Sequence, residues 1–393
     1  MDVTKLNDWE IINLGDAATF INGYAFKPTD WSSNGLEIIR IQNLTKGSSD
    51  INYFSGEIGD RYKVKYGDLL ISWSATLGIY LWKGEDAWLN QHLFKVVFDK
   101  KEFDKQFFKY LIGTSLNEMG RETHGSTMKH ITKVKFDRFK IPYPPLPEQQ
   151  KIASILNAAD NLRQKDQQLI EKYTALSQSL FLEMFGDPVS NPMGWDKIEL
   201  EEIADIVSGV TKGRKLKSKA NLNIPYMRVA NVQDGHLNLQ EIKTIPGTEE
   251  DIQKFGLHKG DILLTEGGDP DKLGRGTVWN DEIENCIHQN HIFRVRLLCN
   301  KSTPIYLSKL CGSEYGKRYF LKLGKQTTGI ASINKTQLRK FPVLRPPINL
   351  QNQYAERILA IEAQKQLALA GLEKSEALFN SLLQRAFKGE LTV

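Results

Sequence analysis

Two long stretches of the chain alternate apolar and polar positions with a helical period. In each stretch, apolar residues recur at steps of three and four, the spacing typical of a coiled-coil seam. Proline-rich joints at 141–147 and 345–347 precede the stretches and prevent an earlier helix start. The predicted seams are Ile152, Ile155, Ala159, Leu162, Leu169, Tyr173, Leu176 and Leu180, interrupted by Asp166, and Tyr354, Ile358, Ile361, Ala368, Leu372, Phe379, Leu382 and Ala386, interrupted by Lys365 and Ser375. A helix of about 38 residues would be roughly 57 Å long, so each stretch predicts a strut.

The remaining sequence contains one unit twice. Short apolar runs introduced by turn residues predict strands, and the runs of the first half recur in the second half in the same order. The offset between the copies grows from 186 to 202 residues, which indicates modest loop insertions in the second copy. The matching positions are Trp9 and Trp195, Gly23 and Gly209, 40–43 and 228–231, 67–72 and 260–265, 91–96 and 290–295, and 144–145 and 346–347.

Each copy therefore predicts a globular α+β domain followed by a long helix. Asp104 in one copy and Thr303-Pro304 in the other are suitable starts for a helix within the domain. Because neither long helix can bury its seam alone, we expect the two to pair as antiparallel coiled-coil helices between domains related by pseudo-two-fold symmetry. The predicted segments are 1–147, 148–187, 188–349 and 350–393.

Composition and charge narrow the class of protein. The 393 residues are too many for one hydrophobic core, and 40% hydrophobic residues suit ordinary globular domains. The net charge of +5 permits a polyanionic partner without requiring one. The chain has no apolar run long enough to span a bilayer and no secretory pattern after Met1, so we expect a cytoplasmic protein with no membrane partner.

Basic residues are concentrated towards the end of each globular domain. The segment 317–345 contains eight Lys and Arg residues and no acid, and 121–140 is a weaker counterpart. Both segments contain a small polar tip, and a further basic loop spans 212–219 opposite 23–27 of the first copy. Cations supply phosphate affinity and short polar groups reach base edges, so these segments predict DNA contacts.

The candidate DNA-binding residues are cationic, amide, hydroxyl or aromatic. For any single lysine, a solubilising surface role is the better interpretation. For the Arg and Asn residues at 40–43 and 228–231, base reading and a structural role at a strand end are about equally favoured. The full set is Tyr24, Lys27, Arg40, Gln42, Asn43, Ser126, Thr127, Lys129, Lys133, Lys212, Arg214, Lys215, Arg228, Asn231, Lys325, Thr327, Thr328 and Lys335.

Signatures of catalysis or metal binding are weak. The segment 312–318 lacks one residue and the Ser or Thr of a phosphate-binding loop, and favours helix. Asp234, Glu241 and Lys243 have loosely nuclease-like spacing without an equivalent in the first copy. His288 and His291 lack a third ligand, and His92 at the repeated position suggests a structural role. The three cysteines favour reduced core residues. We therefore predict no catalytic residues, no metal and no cofactor bound by this chain.

The two-copy layout, Pro145 to Ile152 (PLPEQQKI) and Ala386 to Leu391 (AFKGEL) together resemble the specificity subunits of type I restriction-modification systems. The resemblance covers essentially the whole chain, although the second joint reads Pro-Pro-Ile-Asn-Leu-Gln at 346–351. It implies that the globular domains are target-recognition domains, each reading one half of a bipartite, asymmetric double-stranded DNA target, and that the helices are spacers. It further implies two modification (methyltransferase) subunits and restriction (motor-nuclease) subunits as partners, with S-adenosylmethionine, ATP and Mg bound by those partners.

Three other functions remain open from the sequence. The same fold would serve a modification-only methylation complex, and the sequence does not separate this from restriction. A coiled-coil adaptor that binds an acidic protein would show no strong dependence on DNA sequence. A stand-alone nuclease would require metal-dependent cleavage by the chain itself, and ranks last.

Overall fold

A computed structural model of the protein describes residues 9–45, 50–74, 76–121, 131–214, 222–268, 273–327 and 330–391. Its packing divides the chain into two compact units, Met1–Gln168 with Leu369–Val393, and Leu169–Ala368. Each unit therefore contains one globular domain and one part of each long helix. The boundaries between the units fall inside the helices, whereas the segments predicted from the sequence begin and end near the helix termini. Within the described residues, no helix is long and apolar enough to cross a bilayer.

The first unit mixes short strands and helices. Its strands are β1 Glu10–Asn13, β2 Thr19–Asn22, β3 Leu36–Ile39, β4 Asn52–Phe54, β5 Lys63–Val64, β6 Leu69–Ser72, β7 Gly78–Leu81, β8 Ala87–Leu89, β9 Leu93–Val97 and β10 Lys140–Tyr143. Its helices are α1 Leu14–Ala17, α2 Ile41–Thr45, α3 Lys105–Arg121 and α4 Lys133–Arg138, followed by the start of α5 Leu146–Phe185. Short 3-10 helices span Pro28–Asp30 and Asp60–Tyr62.

Two four-stranded sheets form the first globular domain. One has the antiparallel order β2-β9-β6-β7, and the other has the order β4-β3-β8-β5 with a parallel β3–β8 pair. Strands β1 and β10 form a separate antiparallel ribbon. The main core contains Phe20, Phe94, Phe108 and Phe136, and the start of α5 packs on it through Ile152.

The second unit has its own strands and helices in a similar order. Its strands are β11 Lys197–Glu199, β12 Ala204–Ser208, β13 Leu222–Met227, β14 Lys243–Gly247, β15 Ile262–Thr265, β16 Gly267–Gly268, β17 Gly276–Val278, β18 Ile287–His288, β19 Ile292–Leu297, β20 Lys325–Thr327, β21 Ile330–Ser332 and β22 Pro342–Leu344. Its helices are α6 Glu249–Phe255, α7 Pro304–Gly312, α8 Glu314–Leu323, α9 Lys335–Arg339 and α10 Ile348–Phe387, the last extending into the first unit. Leu200–Glu202 and Val229–Asn231 are 3-10 helices.

The sheets of the second unit repeat those of the first. The order β12-β19-β15-β17 matches β2-β9-β6-β7, the parallel β13–β18 pair matches β3–β8, and β11–β22 matches β1–β10. A three-stranded sheet, β16-β21-β20, is added. The prediction of two tandem α+β domains with long helices is confirmed.

The Gly-Asp turns recognised in the sequence have the same geometry in both copies. Gly67 and Gly260 have φ of +85° and +91°, a region that favours glycine. The following Asp68 accepts a hydrogen bond from Lys65 N, and Asp261 accepts one from His258 N. Each turn leads into a fully buried strand, β6 or β15.

A buried glutamine fastens each long helix to its globular domain. Gln149 Oε1 accepts from Asp104 N (3.0 Å), at the start of α3, and Gln149 Nε2 donates to Pro144 O (2.9 Å). Gln351 repeats these bonds with Thr303 N (2.9 Å) and Pro346 O (2.8 Å). Both glutamines are fully buried. The proline joint, the domain helix and the long helix are thereby held by one side chain.

The long helices pair in opposite directions within each unit. In the first unit, the Arg163 guanidinium lies over the Phe379 ring (5.1 Å), and Asp166 lies beside Gly371. In the second unit, Phe181 contacts the Tyr354 ring at 5.7 Å. There Ser177 Oγ donates to Glu362 Oε1 (3.5 Å), farther along α10 and earlier along α5, so the pairing is antiparallel as predicted.

The predicted seam of α5 is only partly correct. Ile152, Ala159 and Leu180 are buried, but Leu162, Leu169 and Leu176 are 40 to 49% exposed. The buried or half-buried seam positions between Ala159 and Leu180 include polar residues, namely Asp160, Arg163, Asp166 and Ser177. From Ala159, the prediction took a step of three residues to Leu162, whereas the half-buried residue is Arg163, four residues on. One residue is about 100° around a helix, so Leu162 lies away from the seam.

Candidate nucleic-acid interface

The ends of parallel strands define one edge of the first globular domain. Strands β3 and β8 end at Ile39 and Leu89, and Asn90 N donates to Ile39 O (3.3 Å). Tyr24 joins this edge because its amide donates to Leu89 O (2.8 Å) and its carbonyl accepts from Gln91 N (2.9 Å). The Tyr24 side chain is exposed. Two predicted site segments, around Tyr24 and at Arg40, therefore lie together.

A second group of side chains adjoins this edge through the turn at 90–92. The Trp73 ring stacks on Phe94 (5.6 Å) and lies 6.0 Å from the His92 ring. Lys133 Nζ lies 5.7 Å from the Phe94 ring and 2.5 Å from Asp137 Oδ1. Ile131 N donates to Trp73 O (3.2 Å), which fastens the later part of the basic segment 121–140 to the residue after β6. Lys133 is thus placed near the same edge.

The second globular domain repeats this arrangement with different side chains. Val210 takes the position of Tyr24, since its amide donates to His288 O (2.8 Å) and its carbonyl accepts from Asn290 N (2.9 Å). His291 Nδ1 lies 2.6 Å from Glu266 Oε2 at the position of the Trp73–His92 contact. Ile333 N donates to Glu266 O (2.9 Å), as Ile131 does to Trp73.

The Arg and Asn residues at the strand ends make internal contacts. Asn43 Oδ1 accepts from Arg40 N (3.0 Å), and the Arg40 guanidinium donates to Asp50 O (2.9 Å) and Asn52 Oδ1 (3.0 Å). Arg40 also lies 5.5 Å from the Trp31 ring. These contacts support the structural alternative for Arg40 and Asn43; neighbouring Gln42 is exposed.

The same motif recurs in the second domain. Asn231 Oδ1 accepts from Arg228 N (3.0 Å), and Asn231 Nδ2 donates to Asn238 O (2.8 Å). The Arg228 guanidinium pairs with the Glu241 carboxylate (2.9 Å). Asn231 is only 3% exposed, so its side chain is not available to a base in this conformation. The structural interpretation is favoured for both residues, because the donors and acceptors hold the loop instead.

The other basic candidates differ in exposure and in the contacts that they make within the protein. Lys27 and Lys212 are exposed, and Lys335 is exposed at the first turn of α9. Arg214 forms an ion pair with Asp251 and lies 5.9 Å from the Phe255 ring, so part of its charge is neutralised. Contact of any of these residues with DNA stays a prediction.

Several predicted residues fall where the structure gives no side-chain position. Lys325 and Thr327 lie in strand β20, which pairs with β21 and through it with β16 beside Glu266. The remaining candidates lie outside the described residues: Ser126, Thr127, Lys129, Lys215 and Thr328.

Trp73 and Glu266 are not among the residues predicted from the sequence, where His92 and His291 are interpreted as structural positions. Both imidazoles are exposed. The signal was present in the alignment of the two copies: Trp73 and Glu266 directly follow the matched strands β6 and β15. This position does not stand out when the two copies are compared, because an aromatic and an acidic residue share no side-chain chemistry.

The weak catalytic and metal signatures have structural explanations. Glu241 forms ion pairs with Arg228 and Lys243. The hydrogen bond from Arg228, and to a smaller extent that from Lys243, keeps the pKa of the Glu241 carboxyl below its usual value. The segment 312–318 spans the end of α7 and the start of α8, which confirms the helical interpretation. Over the described residues, no group of three or more His, Cys, Asp and Glu side chains is arranged to hold a metal ion.

The buried histidine and cysteines belong to the core. Burial lowers the pKa of His288 from 6.5 to about 4, and His288 Nδ1 lies 2.9 Å from Ile292 O. Burial raises the pKa of Cys286 and of Cys311 to about 12, which keeps both as thiols at neutral pH.

Comparison with known proteins defines the class. The family described as "Type I restriction modification DNA specificity domain" matches residues 7–172 and 192–373. The chain therefore belongs to the specificity subunits of type I restriction-modification systems, which are non-catalytic components of those systems. The match to both copies confirms the resemblance noted from the sequence.

Relatives align over almost the whole chain. The type I restriction enzyme EcoBI specificity subunit of Escherichia coli is 24% identical, covering 98% of this chain and 87% of the relative. The MjaVIII specificity subunit of Methanocaldococcus jannaschii is also 24% identical, covering 98% and 93%. The crystal structure of the S subunit from M. genitalium matches with a TM-score of 0.58 at 16% identity, over 98% of both chains, and supports the fold.

Proposed function

We propose that this chain directs a type I restriction-modification complex to a bipartite, asymmetric DNA target, with each globular domain reading one half. The observation that carries the proposal is a repeated backbone frame with different side chains. Tyr24 is exposed whereas Val210 is buried, and Trp73 and Glu266 are both half-buried. The hydrogen bonds of Tyr24 recur at Val210, and those of Trp73 recur at Glu266. A common backbone that carries unlike side chains at matching positions suits two domains that read two unlike sequences.

We further propose that the long helices dock the modification subunits. Leu169 and Leu176 are exposed seven residues apart on α5, so they lie on one side of that helix within the second unit. Leu359 and Leu367 are exposed on the part of α10 in the same unit. Exposed leucines at helical spacing are typical of a surface covered by another helix. The contact between α5 and α10 uses the polar residues of the seam, so these leucines remain exposed for a partner.

The partner subunits would supply the chemistry. In this proposal two modification subunits bind S-adenosylmethionine, and restriction subunits use ATP and Mg. A complex lacking the restriction subunits would retain the same reading of DNA.

Selection from a randomised duplex library tests the proposal directly. The full chain with its modification subunit is incubated with the library at about 0.15 M salt, where nonspecific phosphate binding is weakened. Two unlike half-sites separated by a fixed gap are expected. Uniform weak binding would contradict DNA reading and would favour an adaptor for an acidic protein.

Lysine variants test the predicted phosphate contacts. Lys133→Ala and Lys335→Ala each remove a cation next to the repeated frame. Each is expected to reduce the slope of log affinity against log salt by about one, with the selected sequence unchanged. Lys197→Ala removes an exposed lysine from β11 and is the matched control, expected to leave the slope unchanged.

A further inference from the structure

The turns before β9 and β19 each carry a half-buried amide side chain followed by an exposed histidine. Gln91 Nε2 lies 3.4 Å from His92 Nε2, and Asn290 Nδ2 lies 3.4 Å from His291 Nε2. Both histidines are exposed and therefore contribute little to either core. A polar pair that recurs at the surface of two domains is better explained by a shared contact surface than by packing.

The third member of this group differs between the domains. Beside His92 lies Trp73, whose ring also stacks on Phe94. Beside His291 lies Glu266, with Oε2 at 2.6 Å from Nδ1. The backbone of Glu266 is held on both sides, because its amide donates to His291 O (2.9 Å) and its carbonyl accepts from Ile333 N (2.9 Å). The carboxylate is therefore attached to a fixed part of the domain.

The contacts of His291 orient this carboxylate. With the imidazole proton on Nδ1, His291 donates to Glu266 through Nδ1 and accepts from the Asn290 amide through Nε2. The Glu266 side chain nevertheless remains 29% exposed, and that of His291 57% exposed. The arrangement presents an oriented hydrogen-bond acceptor at the surface.

Charge indicates which part of DNA this acceptor would meet. Glu266 adjoins a segment, 317–345, that has eight cations and no acid, and Ile333 of that segment bonds to it directly. Phosphates repel a carboxylate, so Glu266 placed against the DNA backbone would weaken binding without a compensating contact. In the major groove, however, Glu accepts from the exocyclic amino group of cytosine, and adenine presents a similar amino group.

We propose that Glu266, positioned by His291, reads an amino-bearing base, cytosine or adenine, in the half-target of the second globular domain. Trp73 at the equivalent place has a half-buried apolar ring with no acceptor, and its indole N–H is buried. It gives the first domain a different preference, for an apolar edge such as the thymine methyl group. This inference rests on the proposed function, because it assigns one base contact within the proposed DNA interface.

Glu266→Gln tests the proposed contact without changing the size of the side chain. The complex of the full variant chain with its modification subunit is taken through the randomised duplex selection. We expect an altered base preference at one position of one half-site and a loss of about tenfold to a hundredfold in affinity for the original target. The other half-site and the gap should not change.

His291→Ala provides an independent test of positioning. This variant keeps the carboxylate and removes its orienting partner, so selectivity should weaken at the same base position. Glu250→Gln is the matched control, since it removes a charge from an exposed glutamate on α6 of the same domain. It is expected to select the original target with unchanged affinity.

The outcomes separate the inference from the function on which it rests. If the wild-type complex selects two half-sites and Glu266→Gln selects the same target with equal affinity, the base assignment is wrong and the proposed function stands. A response of the two variants at different base positions would also overturn the assignment. If the wild-type complex selects no sequence, both proposals fail.

Discussion

The type of a residue indicates which contacts it can make but not which of them it makes in the folded protein. Arg and Asn at strand ends suited base reading by chemistry, but in the structure Arg40 and Arg228 hold neighbouring loops. Residue type shows which hydrogen bonds are possible, whereas the choice between a loop carbonyl and a base depends on three-dimensional proximity. The proposed role of Glu266 shows the reverse case, because its residue type does not distinguish it from other surface acids and only its place after the matched strand β15 does.

His288 is expected to make folding sensitive to acid. Its pKa in the folded chain, about 4, lies below the ordinary 6.5, so the unfolded chain takes up the proton first as pH falls. Stability from this site is complete above pH 6.5 and declines through the window down to about 4. Between pH 7.5 and 5.0 the loss should be about 2 kcal/mol.

His288→Leu should reduce this acid sensitivity, since Leu89 occupies the equivalent position in the first domain. Loss of the bond to Ile292 O should cost about 0.5–1.5 kcal/mol at neutral pH. Urea unfolding of the full chain at both pH values measures the difference, with exposed His236→Leu as the control. An unchanged difference between the two pH values would show that His288 is not the responsible group.

At the level of elements, short-range patterns predicted more than long-range ones. The caps at Asp104 and Thr303 and the Gly-Asp turns depend on neighbouring residues and were predicted correctly. The α5 seam was predicted only in part because a helix of 40 residues with two sets of leucines permits more than one apolar stripe. The partner helix determines which stripe is buried, and the pattern of one helix does not contain that information.

The buried glutamine at each proline joint should be essential for attaching the long helix. Gln351→Leu leaves Thr303 N and Pro346 O without their partner, and each unsatisfied buried group costs about 1–3 kcal/mol. A lower unfolding midpoint is expected in thermal denaturation of the full chain. Gln353→Leu, at an exposed position of the same helix, should change the free energy of unfolding by less than about 0.5 kcal/mol and leave the midpoint nearly unchanged. Equal midpoints for the two variants would refute this role.

The exposed leucines of α5 should matter for assembly rather than folding. The double variant Leu169→Lys with Leu176→Lys places two charges on the proposed docking surface and should weaken binding of the modification subunit at least tenfold. Co-purification and titration measure the effect, and circular dichroism checks the helix content. Leu298→Lys changes an exposed leucine outside the long helices and should assemble normally. Normal assembly of the double variant would place the docking surface elsewhere.

For the whole molecule, the internal repeat was the most informative feature of the sequence. It predicted two α+β domains and two long helices, and the sheets confirm the correspondence down to the parallel pairs β3–β8 and β13–β18. The division of each long helix between two compact units was not predicted. Sequence periodicity shows that a helix is continuous, but its packing partners change along its length.

The central claim is that one chain reads two unlike half-sites. The most direct measurement is to map methylated bases on DNA of random sequence after treatment with the modification complex in which this chain is the sole specificity subunit. If the two globular domains read unlike half-sites, the methylated sites share one asymmetric motif, with two different half-sites and a fixed gap. A palindromic motif, a single uninterrupted half-site or methylation without a motif would contradict it.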